Sequence, residues 1–187
     1  MAARGTKTGA TLAFLTVVDD SQHGACGGLL VLNAAGRPLE FHCTTPLKPN
    51  RAQEILYGPT LRPYLYGERI GATLVAGAAA PLDLLCVDLP EALTVRPHVQ
   101  PPTVLVELPA AADGAGRPPT LRIDRPLAQA APLHWFEANG HRLAVHHEFT
   151  GDRELVASRL AALADFNLGE PFARIREAIE EAQRGSR

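Results

Sequence analysis

A polar, glycine-rich stretch at residues 19–28 combines the residue types from which nucleophilic sites are made. His23 precedes Cys26 by three positions, and an imidazole beside a thiol could hold it as a reactive thiolate. The same composition is typical of a connection between strands, in which glycine and aspartate make turns and a lone cysteine packs. The stretch is therefore predicted to be a loop, with catalysis as one hypothesis.

Glu40 and His42 alternate on a predicted strand, so their side chains share one face while Phe41 and Cys43 take the other. A carboxylate beside an imidazole can transfer protons or support a metal ligand. An exposed strand face has the same composition. Together with the Cys/His pair of the loop, the two residues complete a candidate catalytic set.

Four of the seven histidines fall between residues 134 and 147. In the hairpin expected there, His134 and His147 are diagonal neighbours that could share a metal ion. No third ligand is identifiable, and His146 is expected to point to the opposite face from His147. Partly buried imidazoles at the rim of a sheet explain the pattern equally well.

The motifs that bind nucleotides, phosphates or metals are absent from the sequence. It contains neither a P-loop, nor a dinucleotide-binding glycine pattern, nor a nucleophile elbow, nor the H-E-x-x-H pattern. Gly27 and Gly28 precede a strand and do not open a helix, so they lack the helix N-terminus that binds phosphate. No cofactor is predicted.

An apolar, β-branched run at residues 11–18 predicts a strand covered on both faces. Two further β-prone runs, at residues 29–33 and 37–45, flank a short turn that ends in Gly36, which predicts a hairpin. Pro38 has no amide hydrogen and therefore favours an edge position for the returning strand.

A second hairpin is indicated by Asn139-Gly140 between alternating apolar runs, because both residues tolerate a positive φ. A two-residue turn there places Glu137 opposite Arg142, as a cross-strand ion pair.

The rest of the chain alternates helical and strand patterns. Asn50 and Gln53 have the spacing of a capping box for a helix that begins at residue 51. That helix and a second helix or pair of turns at residues 60–76 are expected to cover the sheet. Further predictions are strands at residues 82–88 and 103–108 and a mobile loop near residues 109–119. A C-terminal helical segment is expected at residues 151–185. In it, Leu155 belongs to an apolar stripe, Ala182 lies on a buried face, and Arg176 pairs with Glu180 on the exposed face.

Composition limits the class of protein. The 187 residues are 46% hydrophobic and 20% charged, with a net charge of -2, and no apolar run is long enough to span a membrane. No basic stripe suits nucleic acid, and three scattered cysteines favour a reducing compartment, the cytoplasm. We expect a single soluble α+β domain over residues 1–187, with an antiparallel or mixed sheet built from two hairpins plus additional strands, helices packed on it, and two C-terminal helices.

The function expected from these features is that of a non-catalytic protein-binding, scaffold or sensor-like module. Its partner would be another protein or a second copy of the chain, with neither nucleic acid nor membrane. The alternative is an enzyme with an unfamiliar site, whose candidate residues are His23, Cys26, Glu40 and His42, while His134 and His147 are the candidate metal ligands.

Overall fold

The computed structural model describes residues 10–20, 22–108, 132–163 and 166–185. Within these residues a mixed sheet of seven strands is ordered β3-β2-β1-β4-β5-β7-β6. The strands are β1 (Thr11–Asp20), β2 (Gly24–Asn33), β3 (Pro38–Cys43), β4 (Leu84–Val87), β5 (Thr103–Val106), β6 (Leu133–Ala138) and β7 (His141–His146). The α-helices are α1 (Arg51–Tyr57), α2 (Leu61–Pro63), α3 (Ala72–Gly77), α4 (Asp152–Ala161) and α5 (Glu170–Gly185). A π-helical segment, Tyr64–Gly71, joins α2 to α3, and 3₁₀ helices lie at Gly58–Thr60, Pro90–His98 and His147–Phe149.

The sheet combines antiparallel hairpins with a parallel centre. The first three strands form an antiparallel meander, in which β2 pairs with β1 on one side and β3 on the other. The centre is parallel, because β4 lies between β1 and β5 and runs in the same direction as both. A second antiparallel pair, β6 and β7, completes the sheet next to β5. The predicted α+β class, with a mixed sheet and two C-terminal helices, is confirmed.

Both faces of the sheet are covered, since the central strands are apolar on both sets of alternating positions. One face, called the α5 face here, packs against α4 and α5 through Phe14, Leu30, Val156, Phe172, Ile175 and Ile179. The other, called the α3 face, packs against the helical run of residues 61–77 and the 3₁₀ helix Pro90–His98 through Leu15, Leu29, Ile70, Leu74, Leu93 and Val95.

The glycine-rich stretch at residues 19–28 is not the loop that the sequence predicts. Most of it is strand, since β1 continues to Asp20 and β2 begins at Gly24. A Cβ atom on Gly27 would collide with Ile70 on the α3 face, and one on Gly28 would collide with Ile175 on the α5 face. The two glycines therefore let helices approach the strand closely from both sides, which explains their presence without a loop.

Both predicted hairpin turns are confirmed. In the first, the chain turns after Asn33 and returns through Pro38, the first residue of the edge strand β3. In the second, Asn139 has φ 51° and Gly140 has φ 72°, as a two-residue turn requires.

The register of the second hairpin is also as predicted, but its ion pair is not. Glu137 lies opposite Arg142. The guanidinium of Arg142 instead binds Glu107, which follows the neighbouring strand β5, at 3.0 Å. The closer carboxylate comes from the residue after a third strand, which the hairpin sequence does not reveal.

The predicted capping box of α1 is present, with Asn50 and Gln53 each bonded to the other's backbone. The expectation that α1 covers the sheet is wrong. None of its residues is buried, and Ile55 and Leu56 are 65% and 82% exposed. The helix contacts the segments that follow it, Gly58–Thr60 and Leu61–Pro63.

The two C-terminal helices bury most of the predicted apolar positions, with two exceptions, and one predicted ion pair is replaced by another. Leu155 is 49% exposed, Ala182 also faces outward, and Arg176 binds Asp88 in place of Glu180. The predicted loop near residues 109–119 lies outside the described residues. None of the helices in the described parts of the chain has the length and apolar character needed to cross a membrane.

Candidate functional site

His23, the first residue of the predicted catalytic set, lies in the turn between β1 and β2. Its Nδ1 lies 2.9 Å from an Asp20 carboxylate oxygen, and its side chain is 48% exposed. The same oxygen accepts the backbone N–H groups of His23 and Gln22, and these bonds lower the pKa of the Asp20 carboxyl. This is a turn held by its own aspartate, a common structural arrangement.

Cys26 lies on β2 and is 3% exposed, packed into the core of the α5 face. Its thiol donates a hydrogen bond to the carbonyl oxygen of Thr44 at 3.1 Å. Burial raises the pKa of this thiol, so the thiolate needed by a nucleophile is disfavoured.

Glu40 and His42 lie side by side on β3, as their alternation predicts. His42 Nε2 is 2.8 Å from Glu40 Oε2. The carboxylate also accepts the backbone N–H groups of Ala79 at 2.9 Å and Ala80 at 2.6 Å. The bond to His42, followed by the two backbone bonds, lowers the pKa of Glu40. The carboxylate therefore fastens the edge strand to the segment that follows α3.

Cys26 and the Glu40–His42 pair lie on opposite faces of the sheet. Glu40 and His42 pair with Val31 and Leu29 of β2, whose side chains belong to the α3 face. The Cys26 side chain belongs to the opposite face. The sheet itself therefore separates the thiol from the carboxylate and imidazole, and the geometry assigns them no joint chemistry.

The two candidate metal ligands are placed differently from the prediction. His134 lies on β6 and is exposed, whereas β7 ends at His146 and the chain turns into a 3₁₀ helix at His147. The rings of His146 and His147 lie 4.6 Å apart, so the expectation that they point to opposite faces is wrong. Across the described residues, no three His, Cys, Asp or Glu side chains are grouped closely enough to bind a metal ion.

Sequence patterns do not reveal a buried ion pair beneath α5. The Asp88 side chain, directly after β4, is fully buried and binds Arg176 of α5, and its Oδ1 makes no hydrogen bond to a described residue. Burial raises the pKa of this carboxyl, while Arg176 and the Thr16 hydroxyl act in the opposite direction. The partners are 88 residues apart, so no local spacing predicts them.

A second buried pair joins the start of α4 to the 3₁₀ helix Pro90–His98. Asp152 is 4% exposed and binds the Arg96 guanidinium through both carboxylate oxygens. It also accepts the backbone N–H of Thr103 at 3.1 Å, and the guanidinium lies 4.2 Å from the Phe149 ring centre. Asp152 and Arg96 are hydrogen-bonded to one another and to the backbone, so the pair has a structural role in joining these segments.

The outer edge of β3 is a different kind of feature, because its hydrogen-bonding groups face outward. Thr44 donates its N–H to Gly27 of β2 at 3.0 Å. In an antiparallel pair such bonds recur at every second residue, so His42 and Glu40 also face β2. The N–H and C=O groups of Phe41 and Cys43 therefore point away from it, and the described residues place no strand on that side.

Apolar side chains accompany this open edge. Phe41 is 41% exposed and pairs with Leu30, so it projects on the α5 face. Leu39, the extra residue of a bulge in the pairing with β2, is 50% exposed. Within the described residues α5 packs chiefly on β1 and β2, and Leu39 and Phe41 of β3 stay half-exposed beside it. We call Leu39, Phe41, Cys43 and the outward backbone of β3 the edge site.

The opposite edge of the sheet carries an aromatic of equal exposure but is charged. Trp135 of β6 is 41% exposed. The guanidinium of Arg142 lies 4.5 Å from its ring centre and is itself bound to Glu107. The guanidinium covers one face of the ring and brings its charge to this edge, so the edge is less suited to apolar contact.

A shallow concavity of about 510 Å³ runs along the exposed side of α5. Its walls are charged side chains, among them Arg174 and Arg184, which form ion pairs with Glu170 and Glu180. None of the candidate residues lines it, and it has the character of a solvated helix surface.

Comparison with known proteins adds no assignment to this geometry. No known protein family matches the chain, and no curated protein matches it either.

Proposed function

We propose that the chain is a non-catalytic protein-binding module that accepts an extended segment of a partner protein along β3. Such strand addition uses main-chain hydrogen bonds for affinity and side-chain contacts for specificity. The observation that carries the proposal is the outer edge of β3, on which the described part of the chain places no strand, with a half-exposed Phe41 beside it. A module of this kind would act as a scaffold or sensor.

The partner would bring apolar side chains to the α5 face of β3. Leu39 and Phe41 are among the most exposed large apolar side chains of the described residues. Contiguous exposed apolar groups on an edge strand favour association and are unusual on a strand that stays unpaired. On the opposite face, the carboxylate of Glu40 is already engaged by Ala79 and Ala80, so the strand is held in place before a partner arrives.

Two features keep the edge selective. Pro38 cannot donate a hydrogen bond, and the bulge at Leu39 interrupts the regular ladder. The regular segment available to a partner is therefore short, from Glu40 to Cys43. Short and interrupted edges are a way in which proteins limit indiscriminate aggregation.

We place the protein in the cytoplasm, without a nucleic-acid or membrane partner. All three cysteines are free, and two of them are buried, which suits a reducing compartment. The enzyme alternative is not proposed from His23, Cys26, Glu40 and His42, since Cys26 and the Glu40–His42 pair lie on opposite faces of the sheet.

A displayed library of extended peptides tests the proposal. Peptides with alternating apolar residues should be enriched on the wild-type chain and should bind the Phe41→Lys variant at least about tenfold more weakly, because the lysine places a charge at the centre of the edge site. Trp135→Lys, at an aromatic of the same exposure on β6, is the matched control and should bind like wild type. Absence of enrichment, or equal binding by Phe41→Lys, would refute the proposal.

A further inference from the structure

We propose that the occupant of the edge site is a second copy of this chain, paired antiparallel through β3 about a two-fold axis at Phe41. The proposal rests on strand addition at the edge site and names the partner. Two identical strands can pair only in registers that bring outward-facing backbone groups together, and this restricts the choices to a few.

The outward groups belong to Phe41 and Cys43, as the bond from Thr44 to Gly27 establishes. A two-fold axis at Phe41 lets the two Phe41 residues exchange both of their N–H···O=C bonds. Shifting the axis to residue 40 would place Glu40 opposite Glu40 of the second copy. Shifting it to residue 42 would place His42 opposite His42. Only the axis at Phe41 places Glu40 of each copy opposite His42 of the other copy.

Side-chain chemistry favours the same register. Carboxylate and imidazole already bind one another within β3, at 2.8 Å, so the two side-chain types are compatible neighbours across the axis. Two carboxylates directly opposite would repel. On the α5 face the two Phe41 rings meet, and aromatic pairs across strands are favourable. Leu39 then lies towards Cys43 of the second copy, so both ends of the contact are apolar.

The interface is short, because regular pairing ends at the bulge beside Glu40. A contact of a few residues belongs to the weak class of interfaces, so dimerisation is expected at protein concentrations of about 10 to 500 µM. The β6 edge does not compete, since Arg142 is fixed over Trp135.

Sedimentation velocity over that concentration range measures the association. The wild-type chain and Trp135→Lys should dimerise with the same constant, and Phe41→Lys should dimerise at least about tenfold more weakly. Phe41 lies outside the core, so circular dichroism should show the fold retained. A wild-type chain that stays monomeric throughout, or a Phe41→Lys variant that dimerises like wild type, overturns the proposal.

The register is tested separately by disulfide trapping in a Cys43→Ser background. Directly paired residues in the hydrogen-bonded position have Cα atoms about 5.5 Å apart, within the range of a disulfide. Phe41→Cys should therefore form a covalent dimer under mild oxidation, with two thiols losing two electrons and two protons to the added oxidant. His42→Cys should not, because it lies two residues away from its counterpart. Trapping of His42→Cys in preference to Phe41→Cys overturns the register.

These outcomes separate the two proposals. If displayed peptides bind at the edge site while the chain stays monomeric, the second copy is wrong as the occupant and strand addition stands. If Phe41→Lys changes neither peptide binding nor self-association, strand addition at β3 is wrong as well.

Discussion

Replacing Arg176 with methionine removes the charge that compensates the buried carboxylate of Asp88. The Asp88 side chain is fully buried, and Arg176 is 39% exposed. Loss of one member of a buried pair typically costs about 3 to 5 kcal/mol, because the other charge stays desolvated. Water screens part of the exposed guanidinium, so the lower end, about 3 kcal/mol at pH 7, is expected. Asp88→Asn should cost about 1 kcal/mol, because the remaining guanidinium can turn towards water.

The pH dependence of stability distinguishes this cause from lost packing. Burial raises the pKa of Asp88 in the folded protein, so the folded state binds its proton more tightly than the unfolded state. The resulting contribution to stability is greatest at pH values below the unfolded pKa and is lost as the pH rises through the folded pKa. Without Arg176 the folded pKa rises further, so acidification should recover part of the loss.

Urea unfolding followed by circular dichroism, at about pH 7 and about pH 5, measures both effects. Equal losses for Arg176→Met and Asp88→Asn would refute the electrostatic reasoning. A loss in Arg176→Met that is the same at both pH values would refute it as well.

Three further perturbations follow from the packing. Gly28→Ala should lower the free energy of unfolding by about 1 to 3 kcal/mol in urea titrations, because the added Cβ would collide with α5. The control is Gly77→Ala, whose added Cβ meets no atom within 4 Å and which should cost less than half as much. Arg96→Met should destabilise the protein by about 3 to 5 kcal/mol in the same assay by stranding the buried Asp152, and a loss below about 1 kcal/mol would contradict that pairing. In the folded protein a thiol reagent should modify the exposed Cys43 alone, and the buried thiols of Cys26 and Cys86 should react only after denaturation. Rapid reaction of more than one thiol per chain would contradict the burial of these two cysteines.

The parts of the fold that local chemistry dictates are predictable from the sequence. Asn139 with Gly140, the Asn50 capping box and Pro38 each act within a few residues, and each prediction is confirmed. The glycines at 27 and 28 are misread because glycine serves both turns and close packing. The side chains that decide between the two uses, those of Ile70 and Ile175, come from distant segments of the chain.

The same division applies to the candidate site. Alternation along a strand is local, and it correctly places Glu40 and His42 on one face. The face of the sheet on which Cys26 lies depends on the register between β1, β2 and β3, and the sequence does not determine this register. Once the faces are known, the polar residues acquire a structural role. Ala79 and Ala80 bind Glu40 from the α3 face, and this fixes β3 with Phe41 turned towards the α5 face, where its side chain is half-exposed. Glu40 and His42, which first suggest catalysis, thus hold the edge strand in the orientation on which the proposed pairing depends.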